Sequence, residues 1–167
     1  MYVDTAGYVT VGCGNKVDAT SVRALPFVVK GTSERASGAQ IADDYDRVSK
    51  APKGQRARFY EPLTTCRLPP VECERLFSKR IDEFTAQLRK LYPEYDTFPQ
   101  AAQLALLDMI FQCGAGSLKR NWPNFSAAVL RKAWRKCAIL CHRKASSEAR
   151  NTTIANLFRE AGAIPTV

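Results

Sequence analysis

The sequence predicts an α+β fold, mainly α, with a small N-terminal β-hairpin lobe followed by a helical lobe. Three observations predict it. Short β-prone runs flank Ala6-Gly7 near the start, which is the signature of a hairpin. Phe77, Ile81, Phe84, Leu88 and Leu91 recur at alternating steps of four and three, the stripe of an amphipathic helix. The run from Ala101 to Phe111 is apolar nearly all round, as a helix at the centre of a bundle must be.

In chain order, residues 2–14 form the hairpin. Gly12 and Gly14 flank Cys13, a pattern that implies special backbone angles or a close backbone approach. Residues 15–65 are less regular, with Pro26 and Gly31 in a loop, a short helix from Gly38 to Val48, and a turn at Pro52-Lys53-Gly54. The amphipathic helix runs from Val71 to Tyr92 and Pro93 ends it. A second helix follows Pro99, and Gly114-Ala115-Gly116 is expected to stop it. A third covers Phe125 to Arg143, and a fourth starts at Ser146 or Ser147, which are good N-caps, and reaches Ala161. The expected organisation is one domain over 1–167, with a hairpin and irregular lobe over 1–65 and a helical lobe over 66–167.

The chain has 167 residues, 46% of them hydrophobic and 25% charged, enough for its own core and unlike a disordered tail. No apolar run approaches the roughly 20 residues of a membrane span, and the start lacks the pattern of a signal peptide. The net charge is +9, unevenly placed: residues 115–167 hold 10 basic and 2 acidic side chains. Such asymmetry suits an anionic partner, whether nucleic acid, lipid surface or acidic wall polymer. Arg131, Lys132, Arg135, Lys136 and Arg143 fall within about 140° of the third helix, one cationic stripe. No nucleic-acid motif accompanies that stripe, so nucleic acid is not the expected partner.

Six cysteines are too few and too irregular for a disulfide scaffold, and most are expected as small core residues, with a Cys66–Cys73 bridge open in an oxidising compartment. Cys137 and Cys141 stand one helical turn apart beside the single histidine, His142, but no further pair completes a zinc site. No metal and no cofactor are expected.

The chemistry is concentrated in the first residues. Asp4 and Thr10 stand on paired strands of one hairpin, where a carboxylate and a hydroxyl can converge on a single water. The alternative for the aspartate is structural, a cap on the turn.

Tyr2-x-Asp4-Thr5-x-Gly7-x-x-Thr10-x-Gly12-x-Gly14 resembles the catalytic hairpin of phage-type lysozymes (endolysins). The likeness continues in order through Leu76-Phe77, then Ala105 to Gln112 and Gly114, then Trp134, Arg150-Asn151 and Leu157-Phe158. The chain is more similar still to the lysozyme-like toxin domains of type VI secretion effectors, in Ala24-Leu25-Pro26-Phe27, Phe98-Pro99 and Arg150-Asn151.

The resemblance implies a lysozyme-like fold with a glycan cleft, and hydrolysis of the β-1,4 bond between N-acetylmuramic acid and N-acetylglucosamine in peptidoglycan, with inversion. It implies Asp4 and Thr10 as catalytic residues that position the attacking water, and Asn15, Gln112 and Arg150 as substrate-binding residues. It implies peptidoglycan strands as the partner, a secretion-apparatus carrier or an immunity protein as protein partners, a monomer, and action in the periplasm or cell wall of a target bacterium.

In that family a glutamate protonates the leaving oxygen from a helix about eight or nine residues before the hairpin aspartate, one of two carboxyl groups in an inverting pair. This sequence has Met1, Tyr2 and Val3 there, so the helix with the general acid is read as missing. Three alternatives stay open: Met1 is internal to a longer frame, another carboxylate such as Glu34, Glu61 or Glu94 serves, or the chain binds glycan without cutting it.

Overall fold

A computed structural model describes residues 1–163. It shows an α+β protein, mainly α, with a small antiparallel three-stranded sheet at the N-terminus. The chain divides into two compact units, Met1–Arg80 and a second from Ile81 onward.

In the first unit β1 (Tyr2–Val3) pairs antiparallel with β2 (Val9–Val11), with Tyr2 opposite Thr10 and Val3 opposite Val9. The expected hairpin is therefore present. A third strand not expected, β3 (Asn15–Lys16), pairs with β2 and sets Lys16 opposite Thr10 and Asn15 opposite Val11. Strand alternation then assigns Val3, Val9, Val11 and Asn15 to one face and Tyr2, Thr10 and Lys16 to the other. Gly12 (φ 53°) and Gly14 (φ 83°) both take the left-handed backbone, and a Cβ on Gly12 would lie 3.6 Å from the Cβ and Sγ of Cys73. Both special angles and close approach apply to this turn.

Helix α1 (Gly38–Ser49) starts with a reciprocal capping box between Ser37 and Gln40, an arrangement worth about 1 kcal/mol. It buries Ile41, Asp44 and Val48. Asp44 is fully buried and accepts from the N–H groups of Thr65 (2.9 Å) and Cys66 (2.8 Å), and Arg47 pairs with it. That carboxylate ties α1 to β5 (Cys66–Arg67), which pairs with β4 (Val28–Val29). The second sheet carries no hairpin signal, because its strands lie far apart in sequence. Leu68 and Leu76 pack on the cluster formed by Val11, Phe27, Ile41 and Cys66. Residues 66–80 thus belong with the first unit, and its boundary falls inside α2 (Pro70–Leu91), not at residue 65.

The second unit is helical. α3 (Gln100–Cys113) buries Ala102, Ala105, Leu106, Met109 and Ile110, the central helix its composition predicts. Gly114 (φ 75°) ends it, but the chain re-enters a helix at once as α4 (Ala115–Asn121), so the glycine pair redirects the chain where a longer stop was expected.

The third expected helix is two. α5 (Pro123–Leu130) and α6 (Trp134–Leu140) are separated at Lys132, the single non-glycine residue with positive φ (53°) among the described residues. The Lys132 N–H donates to the Val129 carbonyl and the Ala133 N–H to the Ala128 carbonyl, a left-handed helix cap. The break turns Trp134 into the core, where it stacks on Phe158 and meets Phe98 edge-on. α7 (Glu148–Ala161) begins as expected, with the Ser147 hydroxyl accepting from the Arg150 N–H.

The cationic stripe dissolves with the helix that carried it. Arg143 is 3% exposed and ion-paired, and His142 pairs with Glu148. Among the described residues, no single helix is long and apolar enough to cross a membrane.

All six cysteines are free thiols, so the Cys66–Cys73 bridge is not formed. Cys66 points into the core of its unit, with its sulfur 3.6 Å from the Thr65 hydroxyl.

Candidate functional site

The hairpin fixes Asp4 by its own backbone. Gly7 (φ 93°) lets the chain reverse over Thr5-Ala6-Gly7, and the Asp4 N–H donates to the Tyr8 carbonyl at 2.9 Å. Oδ1 of Asp4 accepts from the N–H groups of Ala6 and Tyr8, both at 2.9 Å. The aspartate therefore caps the turn, the structural role open to it from sequence. One carboxylate oxygen is consumed by this, and Oδ2 has no hydrogen-bond donor among the described residues. Asp4 is half-buried, so Oδ2 can meet water.

Thr10 is 1% exposed, and its hydroxyl donates to the Tyr8 carbonyl at 3.1 Å. The two expected catalytic residues are joined through the backbone of Tyr8. With its proton committed, the Thr10 hydroxyl is left as an acceptor.

Tyr2, opposite Thr10 in the register, was not singled out from sequence. Burial pushes its phenol pKa up, a hydrogen bond from the Gly14 N–H works against this, and the negative charges of Asp4 and Cys13 add to the rise. Its hydroxyl thus sits within the influence of both the aspartate and the glycine turn. Lys16 reaches the Tyr8 ring at 3.9 Å from the centroid.

Asn15 is buried on the opposite face of β2 and β3 from Thr10, with its Nδ2 unpartnered among the described residues. The structure does not bring it together with Asp4 and Thr10.

A hollow of about 640 Å³ in the same unit is lined by Tyr2, Gly12, Lys30, Glu61 and Cys73, among others. The Lys30 ammonium is already engaged, donating to the Thr64 carbonyl at 2.8 Å and the Thr64 hydroxyl at 2.7 Å.

In the second unit the structure gathers Arg150 around a residue that sequence reasoning left unassigned. Asp108 is the sole charged residue of α3 and holds two guanidinium groups. Arg150 donates to its Oδ1 from Nε (2.9 Å) and Nη2 (2.7 Å), and Arg143 donates to Oδ2 from Nη1 (2.7 Å). Arg143 is positioned by Asn151, whose Oδ1 accepts the Arg143 N–H and whose amide donates to the Arg143 carbonyl at 3.0 Å. One carboxylate faces two cations, so the cluster carries a net charge of +1.

Gln112 lies one helical turn beyond Asp108. Its Oε1, together with Nε and Nη2 of Arg143 and Oγ of Ser146, is buried without a partner among the described residues. Burial raises the pKa of the Cys113 thiol, and the charge of Arg143 opposes that rise. A lone aspartate in an otherwise uncharged core helix was the signal that could have found this cluster.

Among the described residues, no three of His, Cys, Asp and Glu converge as metal ligands. No protein-family model, curated protein or solved structure matches the chain.

Proposed function

We propose that this chain is a peptidoglycan-degrading glycoside hydrolase, a lysozyme-like muramidase that cleaves the β-1,4 bond between N-acetylmuramic acid and N-acetylglucosamine. The observation that carries the reading is the carboxylate of Asp4. Two backbone N–H groups fix Oδ1, and Oδ2 is left to water at the turn of a hairpin with the lysozyme pattern.

In the reaction, Oδ2 takes a proton from water as the water oxygen attacks the anomeric carbon, which inverts the configuration. Thr10 serves as a positioning residue: it holds the carbonyl of Tyr8, whose N–H in turn holds Asp4.

The leaving oxygen is protonated by a carboxylic acid. Of the three glutamates open from sequence, Glu61 lines the hollow that Tyr2 borders, Glu94 is paired with Lys132 at 2.9 Å, and Glu34 is exposed. The strongly basic charge suits an anionic wall, with action in the periplasm or cell wall of a target bacterium. A secretion-apparatus carrier and an immunity protein are the proposed protein partners.

The burial of Thr10 favours a second reading, a glycan-binding module without catalysis, because its hydroxyl does not reach solvent. Incubation with insoluble peptidoglycan separates the two. New reducing ends that vanish in Asp4→Asn support the hydrolase. Retention on the wall with no new reducing ends supports the binding module. Neither retention nor cleavage overturns both.

A further inference from the structure

We infer that Cys13 and Cys73 are a disulfide-forming pair that, when oxidised, fastens the β2–β3 turn to the first turns of α2. The inference is independent of the glycosidase reading. It rests on where the backbone places the two residues. A Cβ on Gly12 would meet the Cβ and Sγ of Cys73 at 3.6 Å and its Cα at 3.7 Å. Cys13 is the next residue, one Cα–Cα step of about 3.8 Å away. A disulfide spans about 4.4–6.8 Å between Cα atoms, so closing the bond requires an adjustment of the turn. The turn can make it, because Gly12 and Gly14 on either side of Cys13 both occupy the left-handed region that restrains other residues.

Access fits the same assignment. Cys13 is exposed and Cys73 half-buried, and Gly12 and Cys73 both line the hollow of about 640 Å³. Burial pushes the Cys73 thiol up, and among the charges acting on it that of Cys13 comes first. The other cysteine of this unit, Cys66, is buried in its core.

The chemistry uses a small-molecule disulfide as oxidant. The exposed Cys13 thiolate attacks a sulfur of oxidised glutathione, forming a mixed disulfide and releasing one glutathione thiolate. Cys73 then loses its proton and attacks the Cys13 sulfur, forming the internal bond and expelling the second glutathione thiolate. Two protein thiols are oxidised, one glutathione disulfide is reduced to two thiols, and the two protons leave with them.

The test is peptide mapping by mass spectrometry, without reduction, of the chain incubated with oxidised glutathione at mildly alkaline pH. The expected product is the Cys13 peptide joined to the Cys73 peptide, lighter by two hydrogens and separated again by dithiothreitol. The oxidised protein should melt above the reduced one, a shift absent in Cys13→Ser, and Cys73→Ser should stop at a glutathione adduct on Cys13. The inference is overturned if the wild-type protein ends as that adduct, if either cysteine is joined elsewhere, or if both remain reduced. The wild-type map decides even where a variant fails to fold.

Discussion

Asp4 and Thr10 grip opposite ends of one residue: the Tyr8 N–H donates to Asp4 Oδ1 at 2.9 Å, and the Tyr8 carbonyl accepts from the Thr10 hydroxyl at 3.1 Å. The pair is coupled through backbone, which gives each side chain a structural duty beside any catalytic one. Substitutions can separate the two duties.

Asp4→Asn keeps an oxygen that can accept from Ala6 and Tyr8, whereas Asp4→Ala loses both bonds. Thermal melts should place Asn near the wild type and Ala lower by about 1–3 kcal/mol. If Asp4 is the base, the Asn variant should also lose about 10²–10⁴-fold in release of reducing sugar. Equal melting of Asn and Ala would show that the turn does not depend on these bonds.

Asp108 should be the most sensitive charged position of the second unit. Asp108→Ala leaves the buried guanidinium of Arg143 without its counter-ion, at a cost of about 3–5 kcal/mol. Arg150→Ala removes a side chain that is 41% exposed and leaves Asp108 paired with Arg143, so about 1 kcal/mol or less is expected. Denaturant midpoints check the ranking, and Arg150→Ala equalling Asp108→Ala would refute it.

Stability should fall on the alkaline side. Burial first, with the charge of a neighbouring cysteine added, pushes Cys137 from 9.0 up to about 12, and burial does the same for Tyr95 from 10.0 to about 12. Both groups are neutral at low pH, and their folded values lie above the unfolded ones. Their contribution is therefore fully present below about pH 9 and lost as the pH rises through about 12. Urea midpoints should stay level up to pH 9 and then decline, with a shallower decline in Cys137→Ala. A midpoint that rose above pH 9 would contradict the sign.

Lys132 occupies a left-handed backbone with φ 53°, a conformation that costs a side-chain-bearing residue about 1–2 kcal/mol. Its ion pair with Glu94 is exposed and contributes little. Lys132→Gly should therefore raise stability by about 0.5–1 kcal/mol, because glycine adopts this angle freely although it gives up more chain entropy. A lower denaturant midpoint for the glycine variant would show that the cap depends on the lysine.

The elements readable in advance were those set by near neighbours. The short helix after Gly38 is α1, Pro99 and Gly114 bracket α3, and Ser147 starts α7. The break at Lys132 was not readable, since no glycine or proline marks it and the core packing of Trp134 imposes it. Nor was β4–β5, where Val29 pairs with Cys66 across more than thirty residues of chain.

The amino-acid order alone determined α1, α2, α3 and α7, the hairpin and the presence of Asp4 at its turn, because periodicity and turn chemistry act over a few residues. Tertiary structure decided which polar groups stay available. Thr10 and Asn15 sit one strand position beyond easy reading, yet the three-stranded register buries both and separates their faces. Asp108, Arg143 and Arg150 lie 35 and 42 residues apart in sequence and meet only when α3 and α7 pack together. Burial of the Arg143 guanidinium makes its pairing with Asp108 obligatory, since a charge withdrawn from water must find its partner inside the protein.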